Sequence, residues 1–582
     1  METDTKNFII FVLLSFLVIA GWSLFMAPKP KKPPAGPAAE QVQAPAPSGE
    51  TPQPVAGRTV TEAAVSAATT PTPAGETLPE AAAPAKTVLV VNGVFAVEFS
   101  TRGAVPTSWK LLKYQDRLYY PYEINIAWPP FKKIEPFLAE MVNLVNPALP
   151  PGLEPFRTEI QIAGLRVPEH ADWETDVEQV ALDETSGPRA VVFRLRTPQG
   201  LVLTKTYTFR PDDYMVDLEL AVTPGLEARL AEHTQVVTRL SFLYETGRLT
   251  SINFHGPLCH TGENGKLYQI KVDDLVKKGP AEQAEPAWAG FSDNYFLTAM
   301  LTEPARSQVW KARYSGPEDL RQNKKASKEL TGELVTVPGA ERFTEGELLK
   351  LKLFMGPKQE EILERAGRKL RTAIDYGMFG ILVQPLMWGL NHLYRAIPNY
   401  GVCIILLTVA LRMAMFPITR KGQESMKEMQ KLQPEMKKIQ EKYKDDRMKQ
   451  QEEMAALYKR HKINPLGGCL PMLLQIPVFF AFYKALLISI ELRHAPFFGW
   501  ILDLSNRDPL LIWPLVMGGT QILMQKMTPT TSADPMQQKM MMLMPVVFIF
   551  LLLYFPSGLI IYWTCSNLVG IGQQIYVNRK TA

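Results

Sequence analysis

The side chain with the most unusual chemistry in this 582-residue chain is Arg412, an arginine inside an otherwise apolar run. No charged residue stands between Ala396 and Leu411, and the next one after Arg412 is Arg420. A helix over Pro398–Thr419 would hold the guanidinium at hydrocarbon depth. A charge there costs about 2.5–3.5 kcal/mol on translocon scales, so such residues face a bundle interior or a wet cavity. No Asp or Glu occurs in this run or in the apolar runs that follow it. An arginine lacking a carboxylate implies a water-filled pocket. Polar residues able to line one are Thr408, one turn before Arg412, Gln475, and Ser566, Asn567, Gln573 and Gln574. The alternative for each is a hydrogen bond between helices. Lys484 reads differently, as a side chain that snorkels to the interface.

These residues need a membrane to sit in, and the chain supplies six apolar segments. They are Asn7–Pro28, Pro398–Thr419, Cys469–Ile490, Pro509–Gln525, Met540–Phe555 and Gly558–Val577. Each is long enough, or nearly so, to span. The run Phe379–Tyr394 is broken by Gln384-Pro385 and Asn391 and reads as the upper part or lead-in of the second span. The average composition, 46% hydrophobic with a net charge of +5, hides this segregation. Asn7–Pro28 reads as an uncleaved anchor, because Glu2 and Asp4 stand beside Lys6 and no small-x-small cleavage site follows.

Residues 29–86 are rich in Pro, Ala, Thr and Gly and cannot bury a core, so a disordered linker is expected. Over residues 87–355 the pattern has period two. Val216, Leu218, Leu220 and Val222 alternate with Asp217, Glu219 and Ala221. Upstream, Leu203, Lys205, Tyr207 and Phe209 share one face, and Arg210-Pro-Asp-Asp213 turns between the two runs. Val191–Leu195 and Val94–Phe99 read alike, and a large antiparallel β-sandwich is expected. Its one cysteine, Cys259, cannot form an internal disulfide. His255, Cys259 and His260 lack a paired ligand motif and read as a polar loop, so no metal and no cofactor is expected.

Residues 356–397 form a transition. Ile362, Ala366, Leu370 and Ile374 make a stripe beside Lys358, Arg365, Arg368, Lys369 and Arg371, predicting a basic amphipathic helix that lies either in the membrane surface or packed on the β domain. The rest, 398–582, holds five spans and one long loop at 420–463. In that loop Met426, Met429, Leu432, Met436, Ile439 and Tyr443 recur at three or four. The pattern breaks at Asp445-Asp446 and resumes with Met454, Leu457 and Tyr458, predicting a helical hairpin with a kink at Pro434.

Loop charges set the orientation. Residues 420–462 carry 13 Lys/Arg against 8 Asp/Glu, and Lys526, Lys539, Arg579 and Lys580 mark the other basic ends. The positive-inside rule places these loops and both termini in the cytoplasm and the β domain outside, although Lys29, Lys31 and Lys32 run against it. The basic excess therefore reads as membrane orientation, and nucleic acid is not an expected partner. The fourth and fifth spans hold about 16–17 residues, roughly 24–26 Å of helix against a core of about 30 Å. Short spans thin the bilayer. Met536 and the Met540–Met544 run add a soft, adaptable surface. No convergent catalytic groups point to an enzyme. A wet basic pocket in thinned membrane suits the movement of polypeptide into lipid, with a solute transporter as the alternative.

Specific motifs sharpen this. Asn464-Pro-Leu-Gly-Gly-Cys469 followed by Leu-Pro-Met-Leu-Leu-Gln-Ile-Pro477, Gln525–Thr531, Asp534–Lys539, Phe555-Pro-Ser-Gly558 and Ser566-Asn567 resemble the signatures of the YidC/Oxa/Alb insertases. The resemblance covers about residues 357–580, and the architecture before it is similar to the Gram-negative arrangement, with a periplasmic domain and an inner-membrane location. It implies an insertase and chaperone for membrane proteins, acting alone or with the Sec translocon. Nascent membrane proteins, membrane lipids and the ribosome are the other partners it suggests. Arg412 and Thr408 match the family's groove positions. Tyr562 and Trp563 match a Tyr-Tyr pair in the last span, from which Trp563 departs. With Gln475, Asn567 and Gln573 they make up the expected substrate groove.

Overall fold

The computed structural model describes residues 85–116, 140–162, 165–223, 234–243, 255–262, 265–303, 308–315, 329–336, 346–444, 446–461, 470–528, 543, 546–547 and 549–580. The predicted first span, most of the linker and the motif segments 464–469 and 529–539 lie outside these residues.

The β domain opens with β1 (Thr87–Val91), β2 (Phe95–Ser100), β3 (Val105–Gln115) and β4 (Met141–Asn143). Next come the hairpin β5 (Arg157–Ile162) and β6 (Leu165–Val167), then β7 (Gln179–Ala181), then the meander β8 (Arg189–Arg196), β9 (Val202–Phe209) and β10 (Met215–Thr223). After β11 (Gln235–Leu243), β12 (Gly256–Thr261) and β13 (Leu267–Gln269) comes a short helix, α1 (Val272–Lys278). β14 (Ala281–Ala284), β15 (Pro286–Ser292), β16 (Phe296–Leu301), β17 (Gln308–Ser315), β18 (Glu329–Thr336) and β19 (Glu347–Pro357) complete it.

The strands form three sheets. The largest has the order β13-β12-β15-β16-β19-β10-β9-β8, and the smaller two run β4-β3-β2-β1-β7 and β14-β17-β18-β11-β5-β6. All pairings are antiparallel except β1 with β7. The period-two pattern has its expected cause: β9 buries every second residue, and Leu218 of β10 stands opposite Tyr207 of β9 and Leu351 of β19. Aromatic side chains tie the smaller sheets to the large one. Phe99 meets Tyr207 with ring centroids 4.7 Å apart, and Phe242 meets Phe291 at 4.5 Å.

One core position breaks the apolar rule. Lys205 is fully buried, its Nζ donating to the carbonyls of Gly103 (3.2 Å) and Phe156 (3.0 Å). Burial pushes its ammonium down to about 7. The unfolded chain then binds the extra proton between about 7 and the ordinary lysine range, so folding stability rises with pH across that window, by up to about 1.4 kcal/mol per pH unit. The unfolding midpoint of the β domain is expected to climb between pH 7 and 10. In Lys205→Met the climb should be flatter, whatever the absolute cost of leaving two carbonyls unpaired. Parallel curves would show that Lys205 stays protonated in both states.

The expected polar loop at 255–260 is instead strand β12. Leu258 and Cys259 are fully buried, and His260 stacks on Trp288 with its Nδ1 3.1 Å from the Gly262 carbonyl. Its pairing with β15 supplies a burial that local sequence cannot display.

The expected amphipathic helix of the 356–397 transition is also interrupted. α2 (Glu360–Ala366) stops at Gly367, whose φ of 75° ends the helix, and a short 3-10 turn at Leu370–Ala373 follows. Of the expected stripe, Leu370 and Ile374 join the β-domain core and Ile362 and Ala366 pack partly buried against it, while Leu363 and Ala373, outside the stripe, are buried there as well. The run after it is a separate helix, α3 (Gly380–Ala396), and not the top of the next one. Its Ile397 end and the Asn399 cap, which accepts from the Val402 amide at 3.1 Å, force a break before α4 (Tyr400–Lys431).

α4 runs twelve residues past the expected Thr419 end. Among the described residues it is the one helix long and apolar enough to cross a membrane by length and composition. α5 (Gln433–Lys442) and α6 (Arg447–Arg460) follow, packed through Met429, Leu432, Met436 and Leu457. Pro434 lies in the first turn of α5, where its missing N–H costs nothing, and so starts a helix instead of kinking one. α7 (Leu470–Ile488), α8 (Ile512–Met527) and α9 (Ser557–Lys580) complete the bundle, with helical residues 549–552 before α9.

Candidate functional site

Three helices bring the polar residues together. Arg412 on α4 donates from Nε to the Ser566 hydroxyl on α9 at 2.7 Å. Gln475 on α7 donates from Nε2 to the same hydroxyl at 3.3 Å and also to the Tyr562 hydroxyl. Gln573 donates to the Arg412 carbonyl at 3.1 Å, fixing α9 to α4 one stage further along. Among the described residues, neither terminal nitrogen of Arg412 has a hydrogen-bond partner, and no carboxylate pairs with it.

Helical spacing explains this sorting. Tyr562, Ser566 and Gln573 are separated by four and seven residues and share one face of α9. Trp563 and Asn567 lie one residue further on, about 100° around the axis, and face α8. Trp563 donates from Nε1 to Gln521 Oε1 at 3.3 Å, and Asn567 donates to the Thr520 hydroxyl at 3.2 Å. They form a second polar contact, between α8 and α9. Thr408 is buried and turned back on its own helix, donating to the Ile404 carbonyl at 2.6 Å.

The site thus unites Arg412, Gln475, Tyr562 and Gln573, and leaves Thr408, Trp563 and Asn567 outside the hydrogen-bonded cluster. Ser566, the hydroxyl at its centre, was expected among the polar residues lining the pocket, though not among those matched to the family's groove. Thr520 and Gln521 were missed, because the partner face of α8 cannot be read from α8 alone.

The cluster has an open side and a sealed side. Toward the β domain, the Tyr562 ring stacks on Phe482 at 4.4 Å. Behind it, Ala481, Ala485, Leu486, Ile501, Leu504 and Leu559 are almost wholly buried. Toward the far end of α4, Arg412 is half-buried and Met413 is 59% exposed. The sealed side is closed by the loop after α7. Ser557 donates from its amide to the Asn506 carbonyl at 2.6 Å and from its hydroxyl to the Asp503 carbonyl at 2.9 Å. Gly558 donates to the Leu504 carbonyl at 2.9 Å, and a Cβ at Gly558 would stand 3.1 Å from that same oxygen.

The remaining surface of the bundle is apolar. Leu406, Val409 and Ile418 on α4, Leu515 and Leu523 on α8, and Phe550 and Leu551 before α9 are all exposed. An exposed apolar belt around a polar cluster is the arrangement of a protein solvated by lipid. Among the described residues, no group of three or more His, Cys, Asp or Glu side chains could hold a metal ion.

Comparison with known proteins places these features in context. The family model described as 60Kd inner membrane protein matches residues 392–582, and that of the YidC periplasmic domain matches residues 158–389. A relative from Geobacter metallireducens, named membrane protein insertase YidC, is 35% identical over 581 residues, 99% of each chain. One of the same name from Pelobacter propionicus is 36% identical over 585 residues, again 99% of each. Another, from Geobacter sulfurreducens, is 43% identical over 399 residues, 68% of this chain and 72% of its own.

Proposed function

The chain belongs to the YidC family of membrane protein insertases and so inserts proteins into the inner membrane, with a periplasmic β-rich domain, and we propose that insertion runs through the polar cluster at Arg412. The observation that carries this reading is the seating of Arg412. One nitrogen is held by Ser566 while the terminal pair stays unpartnered among the described residues, on the half-exposed side of an apolar seal. A guanidinium held in this way can receive a polar or acidic segment of an incoming chain and lower its desolvation cost. Burial of the client's apolar helix in lipid then draws the segment onward, at about 25 cal/mol per Å² of apolar surface.

The same reading takes the chain as six spans, multi-pass, with both termini and the α5–α6 hairpin in the cytoplasm. That hairpin, basic and next to the open end of the site, is suited to meeting a ribosome or nascent chain. Larger clients would be shared with the Sec translocon. α8, at 16 residues, spans about 24 Å, short of a bilayer core of about 30 Å, which supports local thinning beside the site.

A photo-crosslinker at position 475 or 562 should capture a stalled nascent membrane protein, and one at position 482, behind the seal, should not. Capture at 482 with none at 475 or 562 would reject this route.

A further inference from the structure

Past the end of α7 the connection to α8 packs against the β domain. Arg493 is the residue that crosses, with 11% of its side chain exposed. Its Nη1 donates to the Gln115 carbonyl at 2.7 Å and its Nη2 to the Asp116 carbonyl at 3.2 Å, at the end of β3. Its guanidinium carbon also lies 5.5 Å from the ring centroids of Phe296, which opens β16, and of Tyr295 just before it. The β15–β16 turn that carries these rings is itself fixed. The Asp293 carboxylate accepts from the amides of Tyr295 (2.7 Å) and Phe296 (2.6 Å), while Lys358 donates to Ser292 Oγ and the Asp293 carbonyl. Leu487, Ile488 and Ile490 extend the β-domain core into the end of α7.

The next residue continues the connection. The His494 amide donates to Asp503 Oδ1 at 3.1 Å, and the Asp503 carbonyl accepts from Ser557 at the start of α9. One short stretch therefore joins the β domain, α7 with Gln475, and α9 with Tyr562 and Ser566.

We infer that Arg493 is a positioning residue for insertion, latching the β domain onto the outer end of α7 and so holding α7 and α9 at the relative height that brings Gln475 to Tyr562 and Ser566. This rests on the groove reading above. It assigns the periplasmic domain a mechanical part in a site it does not touch. Lysine cannot replace arginine fully, because a compact ammonium can reach the carbonyls but has no planar face to lay against the two rings.

The test uses the full chain in membranes with Arg493→Ala, Arg493→Lys, Tyr295→Ala, the Arg493→Ala/Tyr295→Ala pair, and Arg412→Ala as reference. Hydrogen exchange of residues 111–116 and 487–505 reports the latch, and insertion of a small client reports the site. Arg493→Ala should raise exchange in both segments roughly tenfold, as expected for a lost charge-assisted hydrogen bond, and slow insertion. Arg493→Lys should fall between, and Tyr295→Ala should add little once Arg493 is gone. Additive effects, unchanged exchange, or loosened segments with normal insertion would overturn the inference. If Arg493→Ala does not accumulate, the lysine and Tyr295 variants decide it by the same criteria. Normal insertion by Arg412→Ala would instead reject the groove reading itself.

Discussion

Replacing Arg412 by alanine is expected to lower insertion of a small client with an acidic translocated segment by about tenfold or more, and to affect a neutral counterpart much less. The estimate follows from what the guanidinium offsets. An acidic residue taken to hydrocarbon depth costs about 2.5–3.5 kcal/mol on translocon scales. A charge-assisted hydrogen bond recovers about 1.5–3 kcal/mol of such a cost, and each 1.4 kcal/mol is tenfold. Arg412→Lys should be intermediate. With Nε on Ser566, arginine still offers two nitrogens to the client, whereas a lysine spends its single ammonium on both tasks. Depletion of the native protein with rescue by each variant, scored by protease protection of the client, measures this. Equal losses for acidic and neutral clients would mean that the arginine acts through the water it holds. Equal rescue by all three chains would remove it from the mechanism.

How much of this site could be read beforehand follows from the geometry of single helices. Arg412 was legible because a charge in an apolar run is visible in one dimension. Gln475 and Ser566 were legible as polar side chains in apolar segments, and Tyr562 through the resemblance alone. What one dimension hides is which way each helix faces its neighbours. Trp563 and Asn567 differ from Tyr562 and Ser566 by a single step, yet that step turns them toward Gln521 and Thr520 on α8. Thr408 stands one turn before Arg412 but satisfies its hydroxyl on its own backbone, a choice that spacing cannot distinguish from a groove contact.

The β domain divides in a similar manner. The alternation of β9 and β10 is local, because each strand has one core face, so period two revealed them. β12 is buried throughout Gly256–His260, shows no alternation, and was mistaken for a loop. The parallel pairing of β1 with β7 joins residues about ninety apart, beyond the reach of any local pattern. The break at Gly367, with its φ of 75°, also divides the expected stripe: Ile362 and Ala366 pack against the core from the helix before it, and Leu370 and Ile374 enter the core from the turn after it.

The second large effect is expected outside the apolar layers, at Asp508, where replacement by alanine should cost about 3–4 kcal/mol of stability through several lost hydrogen bonds. Its side chain is 1% exposed and accepts three donors: Trp500 Nε1 at 2.8 Å and the Leu510 amide at 3.0 Å on one oxygen, the Trp513 amide at 2.7 Å on the other. α8 needs this carboxylate because its own cap position, Leu511, has φ of 59° and no side-chain acceptor. Asp508 caps the helix from four residues before Ile512, and its charge lies favourably at the N-terminal end of the dipole. Asparagine would keep one acceptor oxygen but aim an N–H at a remaining donor, so about half the loss is expected. Thermal unfolding in detergent, followed through Trp500 fluorescence, would rank native, asparagine and alanine chains in that order. Because α8 carries Thr520 and Gln521, the alanine variant should release Trp563 and Asn567 while the Arg412–Ser566–Gln475 contacts, made without α8, persist. A melting temperature equal to the native one would show that water caps this helix instead, and would place the outer end of α8 in a wet layer of the interface.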